Sequence, residues 1–249
     1  MRLAEKHPHR STTFLEVART FDRLAHQVDV TEGSESWRLL FLNAAECYAV
    51  PPDHSQAARA FLNARKHTDA AYHYRMAGMF DAAVGILRAH TIDTELAESI
   101  TYAAKFVFTT EENVTSLHKA WKLCSSKEDY IEFLQDNGFE KQRIMFLDSV
   151  AEHEEAAQAL WEARDYLSAV LRFRRSAKES SKQKAARCLL EGMRENVFFV
   201  TSYGNPSDVL IQLFNLSQDV DLSADERTQV RSSPRICYLL TEKRLGRIF

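Results

Sequence analysis

The sequence predicts an all-α protein: an α-solenoid of antiparallel helical hairpins, about fourteen helices in a right-handed superhelix. Three observations predict it. The first is an internal repeat. Residues 70–88, AAYHYRMAGMFDAAVGILR, align without a gap on 156–174, AAQALWEARDYLSAVLRFR. Ala70, Ala71, Ala77, Ala83 and Val84 fall on Ala156, Ala157, Ala163, Ala169 and Val170, while Tyr74 falls on Leu160. A looser copy lies at 44–64. Self-similarity of this kind is the mark of stacked supersecondary units. The second is the scarcity of turn residues, with 7 Gly and 5 Pro in 249 residues; an all-β chain needs many more. The third is apolar spacing of three and four broken by very short connections, which permit only antiparallel neighbours.

Taken in order, 1–11 reads as a disordered arm. Phe14, Val17, Phe21, Leu24 and Val28 then share one face of a helix over 12–28, with Ser11 or Thr12 as its cap. After the polar break TEGSES, helices are expected at 35–49, 54–65, 67–77 and 80–90. Asp93 or Thr94 starts another through about Phe108, and TTEENV opens one that reaches Cys124. SSKEDYIEFLQDNG carries a Ser126 cap, Asp129 three residues on, and Gly138 as a stop. Helices at 140–150 and 152–163 lead into the third copy. One near 180–193 follows, then the turn-rich 201–207, and short helices at 208–217, 223–230 and 234–246. VFFV at 197–200 is the one strand-like run and reads as the buried end of a helix. The division expected is an array over 12–200 with capping helices over 201–249.

The repeat specifies its own packing residues. Ala45 and Tyr48 precede Ala57, Phe61 and Ala64 in the first copy; Ala71, Tyr74, Ala77 and Ala83 serve the second; Ala157, Leu160, Ala163 and Ala169 serve the third. Alanines let helix backbones approach, and a large side chain fills the groove beside them. Trp37, Trp121 and Trp161, at helical spacing among alanines, read as core rather than as a binding cage.

The spacing at 44–90 and 156–175 resembles that of tetratricopeptide repeats. A longer stretch, over about 35–230, resembles the helical region of fungal proteins with UvrD-like helicase domains, which are similar to large tetratricopeptide-and-ankyrin-repeat-containing proteins. The runs that carry it include AARAFLNARKHTDAAYHYRMAGMFDAAVGILRAH, FLQDNGFEKQRIMFLDSVAEHEEAAQALWEARDYLSAVLRF and LFNLSQDVDLSADERTQV. The resemblance implies an NTPase domain ahead of the helices. No G-x-x-x-x-G-K-[ST] occurs in this sequence, so no phosphate-cradling loop can form and no helicase residue carries over.

Chemistry is correspondingly thin. Nine histidines include no HExxH and no His at zinc spacing from Cys. His67 and His73 fall on different faces of one helix. His153-Glu154-Glu155 could be drawn as an acid–base cluster, but acids at a helix start also answer its dipole. No G-x-S-x-G occurs, and no Cys has an adjacent His to activate it. The expectation is a non-enzyme without cofactor or metal. Cys47, Cys124, Cys188 and Cys237 read as reduced, helix-buried residues of an intracellular protein, cytoplasmic or nuclear. No apolar run reaches the roughly 20 residues that cross a bilayer.

Charge supplies the one polar feature. Arg172, Arg174, Arg175, Lys178, Lys182, Lys184 and Arg187 crowd into 172–187, whereas 128–155 is acidic. The basic stretch is a candidate nucleic-acid contact; the competing reading is a solvated helix end answering its dipole. The net charge of -3 favours the latter. The function expected is a non-catalytic scaffold for a protein or peptide partner. The alternative is an accessory module of a UvrD-like helicase touching nucleic acid through this stretch.

Overall fold

The computed structural model describes residues 8–27, 31–176, 178–198 and 208–232. All their regular structure is helical: α1 (Pro8–Ala25), α2 (Glu35–Ala49), α3 (His54–Asn63), α4 (His67–Met76), α5 (Phe80–Ala89), α6 (Thr94–Thr110), α7 (Val114–Trp121), α8 (Lys127–Asp136), α9 (Glu140–Ser149), α10 (His153–Glu162), α11 (Tyr166–Phe173), α12 (Glu179–Phe198), α13 (Asp208–Leu216) and α14 (Ala224–Ser232). Neighbours in sequence pack on one another, so the chain is an all-α solenoid.

Two runs of helices keep one register. α3, α4 and α5 begin at His54, His67 and Phe80, and α8 to α11 begin at Lys127, Glu140, His153 and Tyr166. Every step is thirteen residues, a ten-residue helix and a three-residue turn. A hairpin therefore advances 26 residues, fewer than the ~34 of a tetratricopeptide.

The five turns within these runs share one conformation. Their middle residues, Arg65, Gly78, Gly138, Ala151 and Arg164, are left-handed, with φ of 60, 71, 71, 61 and 62°. The residue that follows donates its N–H to a carbonyl five positions back: Lys66 to Phe61, Met79 to Tyr74, Phe139 to Leu134, Glu152 to Leu147 and Asp165 to Leu160, at 2.8–2.9 Å. The middle residue donates to the carbonyl three back. This pair of bonds closes a Schellman motif and satisfies carbonyls the helix end would otherwise orphan. The same following residue is also the N-cap of the next helix; its carbonyl accepts from the N–H of Ala70, Ala83, Arg143, Ala156 or Ala169 in turn. One residue thus ends a helix and starts another.

Packing follows the thirteen-residue step. The fourth position of each helix is Ala57, Ala70 and Ala83 in the first run, then Tyr130, Arg143, Ala156 and Ala169. Those five alanines are fully buried. The eighth position is Phe61, Tyr74 and Leu87, then Leu134, Leu147, Leu160 and Phe173, and all but the half-buried Leu87 are buried. Small residues draw the axes together, and large ones fill the grooves beside them.

The chain divides into two compact units: 1–111 with 119–123, and 112–118 with 124–249. The first centres on Phe41, Ala44, Ala57, Ala70, Ala83, Ile100 and Ala104, each 0–1% exposed. Within it Lys119 pairs with Asp81 at 2.8 Å and lies over the Phe108 ring. The second unit joins Tyr130, which meets Phe146 edge-on at 4.9 Å, to a core of Leu160, Tyr166, Val170, Phe173, Leu189, Leu210 and Leu213. There α11 and α12 approach so closely that a Cβ on Gly192 would stand 2.5 Å from Cβ of Tyr166.

Several expectations change. The first helix begins at Pro8, inside the stretch expected as a disordered arm. α7 starts only at Val114, the last residue of TTEENV, and ends at Trp121, so Cys124 lies beyond a helix. α12 runs through Phe198, longer than expected, and takes in the first half of VFFV. Ala163 is exposed rather than packed, because it caps α10 just where the chain turns away, and Ala77, in the equivalent place after α4, is only half-buried. Ala45, Tyr48, Ala64, Ala71 and Ala157 are buried as the repeat requires. Cys188 is buried, but Cys47 and Cys124 are half-exposed. The three tryptophans are half-buried at the edges of the core; Trp37 and Trp161 lie edge-on to the more deeply buried Phe41 and Phe173. The turn at 201–207, the helix at 234–246, Cys237 and a boundary near 200 fall outside the described residues.

Candidate interaction surface

Alternate helices of the second unit are bridged in parallel register. Lys127 Nζ reaches Glu152 Oε1 at 3.0 Å, linking the starts of α8 and α10. Lys184 Nζ meets Glu154 Oε1 at 2.7 Å, Trp161 Nε1 donates to Glu191 Oε2 at 2.9 Å, and Arg164 meets Glu195 at 3.6 Å. These three links follow α10 and α12 from start toward end at a separation of 30 or 31 residues. On the other series Glu112 takes Lys141 at 2.6 Å, His118 meets Ser149 at 2.9 Å, and Asp148 takes Arg172 at 2.8 Å. Side chains that bridge successive hairpins fix how each is set upon the last.

The bridges account for most of the basic stretch. Arg172 is half-buried and pairs with Asp148, whose other oxygen lies 3.5 Å from Nδ1 of His153. Lys178 and Lys184 share Glu154, at 3.3 and 2.7 Å, and their hydrogen bonds hold its carboxyl below the usual carboxylate range. Arg174 pairs with Asp219 at 3.6 Å, and Lys182 with Glu179 at 2.7 Å. Arg175 and Arg187 are exposed and form no ion pair among the described residues. The acidic and basic segments, separate in sequence, thus partly neutralise one another in space. His153-Glu154-Glu155 is drawn apart by the same links, His153 toward Asp148 and Glu154 toward the lysines.

Where α10 meets α12 the bridges leave a shallow cleft of about 350 Å³. Trp161 and Tyr166 form its apolar wall, and Glu162, Glu191 and Glu195 its acidic rim, with Arg164 the one cation. Tyr166 is 5% exposed. Burial, then the hydrogen bond and charge of Glu195, push its phenol up to about 12, so it stays neutral. Burial pushes the Cys188 thiol up to about 12 as well, which leaves no thiolate for nucleophilic attack near neutral pH. Sequence reasoning passed over this cleft because its members come from three elements, and Glu191 and Glu195 carry no motif of their own.

The histidines also find unexpected partners. His54 and His73 bring their Nδ1 atoms to 2.9 Å across α3 and α4, and His67 stacks on His90 with centroids 3.5 Å apart. No group of three or more His, Cys, Asp or Glu side chains could hold a metal ion among the described residues. None of the described helices is long and apolar enough to cross a membrane.

Helices in one register, identical turns and parallel bridges define the class, a solenoid of short helical hairpins. Compared with protein-family models, curated proteins and solved structures, the chain matches none.

Proposed function

We propose that this chain is a helical-repeat scaffold that binds a protein or peptide partner, with the α10–α12 cleft as its contact. The carrying observation is that cleft itself. Trp161, half-buried on a rigid helix and held by Glu191, offers the open part of an indole ring at little conformational cost, the buried Tyr166 backs it, and a rim of carboxylates surrounds it. A photo-crosslinking side chain at Glu162 tests it. A discrete protein band from cell extract is expected from that position and not from exposed Glu128, and Trp161→Ala should remove it. A band that is equal at both positions, or that disappears in modest salt while the fold persists, would overturn the reading.

The nucleic-acid reading is the less favoured one, since five of its seven candidate residues already pair with carboxylates. Its remaining support is the exposed pair Arg175 and Arg187. Low-salt binding of RNA or single-stranded DNA that Arg175→Glu with Arg187→Glu abolishes would establish it in place of the first.

A further inference from the structure

α4 is held to its neighbours by two imidazole pairs, one toward each end. At its start His67 stacks face-to-face on His90, the residue that caps α5, with ring planes 10° apart. Nδ1 of His67 is buried and has no hydrogen-bond partner. Toward its other end His73, 9% exposed, faces His54 of α3 with the Nδ1 atoms 2.9 Å apart. Phe61 stacks on the His73 ring at 5.2 Å and Tyr72 meets it edge-on, which seals it from solvent.

A hydrogen bond between two Nδ1 atoms needs one nitrogen to donate and the other to accept. With one imidazole protonated the bond survives, but with both protonated there are two donors and two like charges at hydrogen-bond distance. Stacked imidazoles tolerate one charge and oppose a second. The charged groups acting on His73 are His54 and, opposing it, Asp69 one turn back on α4. Those acting on His67 are His90 and Arg65, both of which disfavour its protonation. α5 and α6 also pack on α4. Their charged side chains are Asp81, already paired with Lys119, with Arg88, Glu95, Glu98 and Lys105.

We propose that α3–α4–α5 is a proton-sensitive clasp, in which two imidazole pairs hold α4 while neutral and release it when both members of a pair are charged. Burial first, and then the partner imidazole, lower the proton affinity of His67 and His73 below the usual histidine value of 6.5. The sign follows. An opened or unfolded chain binds more protons than the closed one below pH 6.5, so the stabilisation is complete above that pH and is lost as pH falls beneath it. Release would bare the alanine and aromatic faces of α3, α4 and α5, leaving the second unit unaltered.

The test uses the full chain between pH 7.5 and 5.5, above the range where carboxylates titrate. Nitrogen-detected NMR should show His67 and His73 protonating below 6.5. The thermal midpoint should fall by roughly 3–6 °C across that interval. Backbone hydrogen exchange should accelerate within 54–90 and stay constant within 127–173. His67→Gln with His73→Gln should flatten the pH dependence. Should that pair of changes prevent folding, since His73 is buried, His54→Gln with His90→Gln, at the half-buried and exposed partners, should reduce it. A midpoint independent of pH, exchange that rises equally in both segments, or a full pH response in the folded variant would overturn the proposal.

Discussion

The left-handed turn residues allow a reciprocal test of what holds the hairpins. Gly138 and Ala151 occupy the same place in successive turns, with φ of 71 and 61°. A Cβ built on Gly138 meets no atom within 4 Å, so Gly138→Ala adds no clash and changes only the backbone energy. A non-glycine residue in this conformation costs about 1–2 kcal/mol. Restricting the unfolded chain returns about 0.4–1 kcal/mol of that. Gly138→Ala should therefore destabilise by about 0.5–1 kcal/mol, and Ala151→Gly should stabilise by about as much. In a chain of this size that is a shift of about 1–4 °C, downward and upward respectively. Urea unfolding monitored by circular dichroism would give the free energies, and an unchanged m value would show that the unfolded state is the same. The doubly exchanged chain should return close to the parent. Should Ala151→Gly destabilise and Gly138→Ala stabilise, chain entropy rather than left-handed geometry would govern these positions, and the account of the turns would fail.

Other outcomes follow from the second unit. Gly192→Ala improves helix propensity by about 1 kcal/mol but drives a Cβ into Tyr166, and overpacking of about 1–3 kcal/mol should leave it destabilised; a raised thermal midpoint would disprove the close approach. Asp148→Asn strips Arg172 of a half-buried partner and should cost about 1–2 kcal/mol in chemical denaturation. Lys184→Ala should let the Glu154 carboxyl return toward 4.5, as carbon NMR of the carboxylate would show. Because its folded-state value lies below the unfolded one, Glu154 stabilises above about pH 4.5 and loses that contribution as pH falls further. The variant should therefore unfold in acid with a shallower pH dependence than the parent.

The helices were legible because three- and four-residue apolar spacing survives in nearly all of them, and Asp93 and Ser126 cap as their identities suggest. The thirteen-residue step shows in residue identities only at Ala57, Ala70 and Ala83 and again at Ala156 and Ala169. At the start of the second run the same position is held by Tyr130 and Arg143, which hides the period there from a comparison of residue identities. The turns were half-legible. Gly78 and Gly138 announce a left-handed residue, but Arg65, Ala151 and Arg164 adopt the same conformation without a glycine. The basic stretch looked like a surface for phosphates because its carboxylate partners lie 24 to 45 residues away, except Glu179. The imidazole pairs leave no mark in sequence, because His67 and His73 fall on different faces of α4 and their partners His54 and His90 come from other elements.

Since the residue that closes one helix also opens the next, the first and last hairpin runs contain no spare linker. Adding or deleting a single amino acid inside them would rotate every later helix out of phase, whereas adding or removing a whole 26-residue hairpin would leave each joint intact. Length variants of this architecture should therefore differ in steps of complete hairpins, and smaller insertions should gather at the joints around 111–113 and 122–126, where the thirteen-residue rhythm is already interrupted.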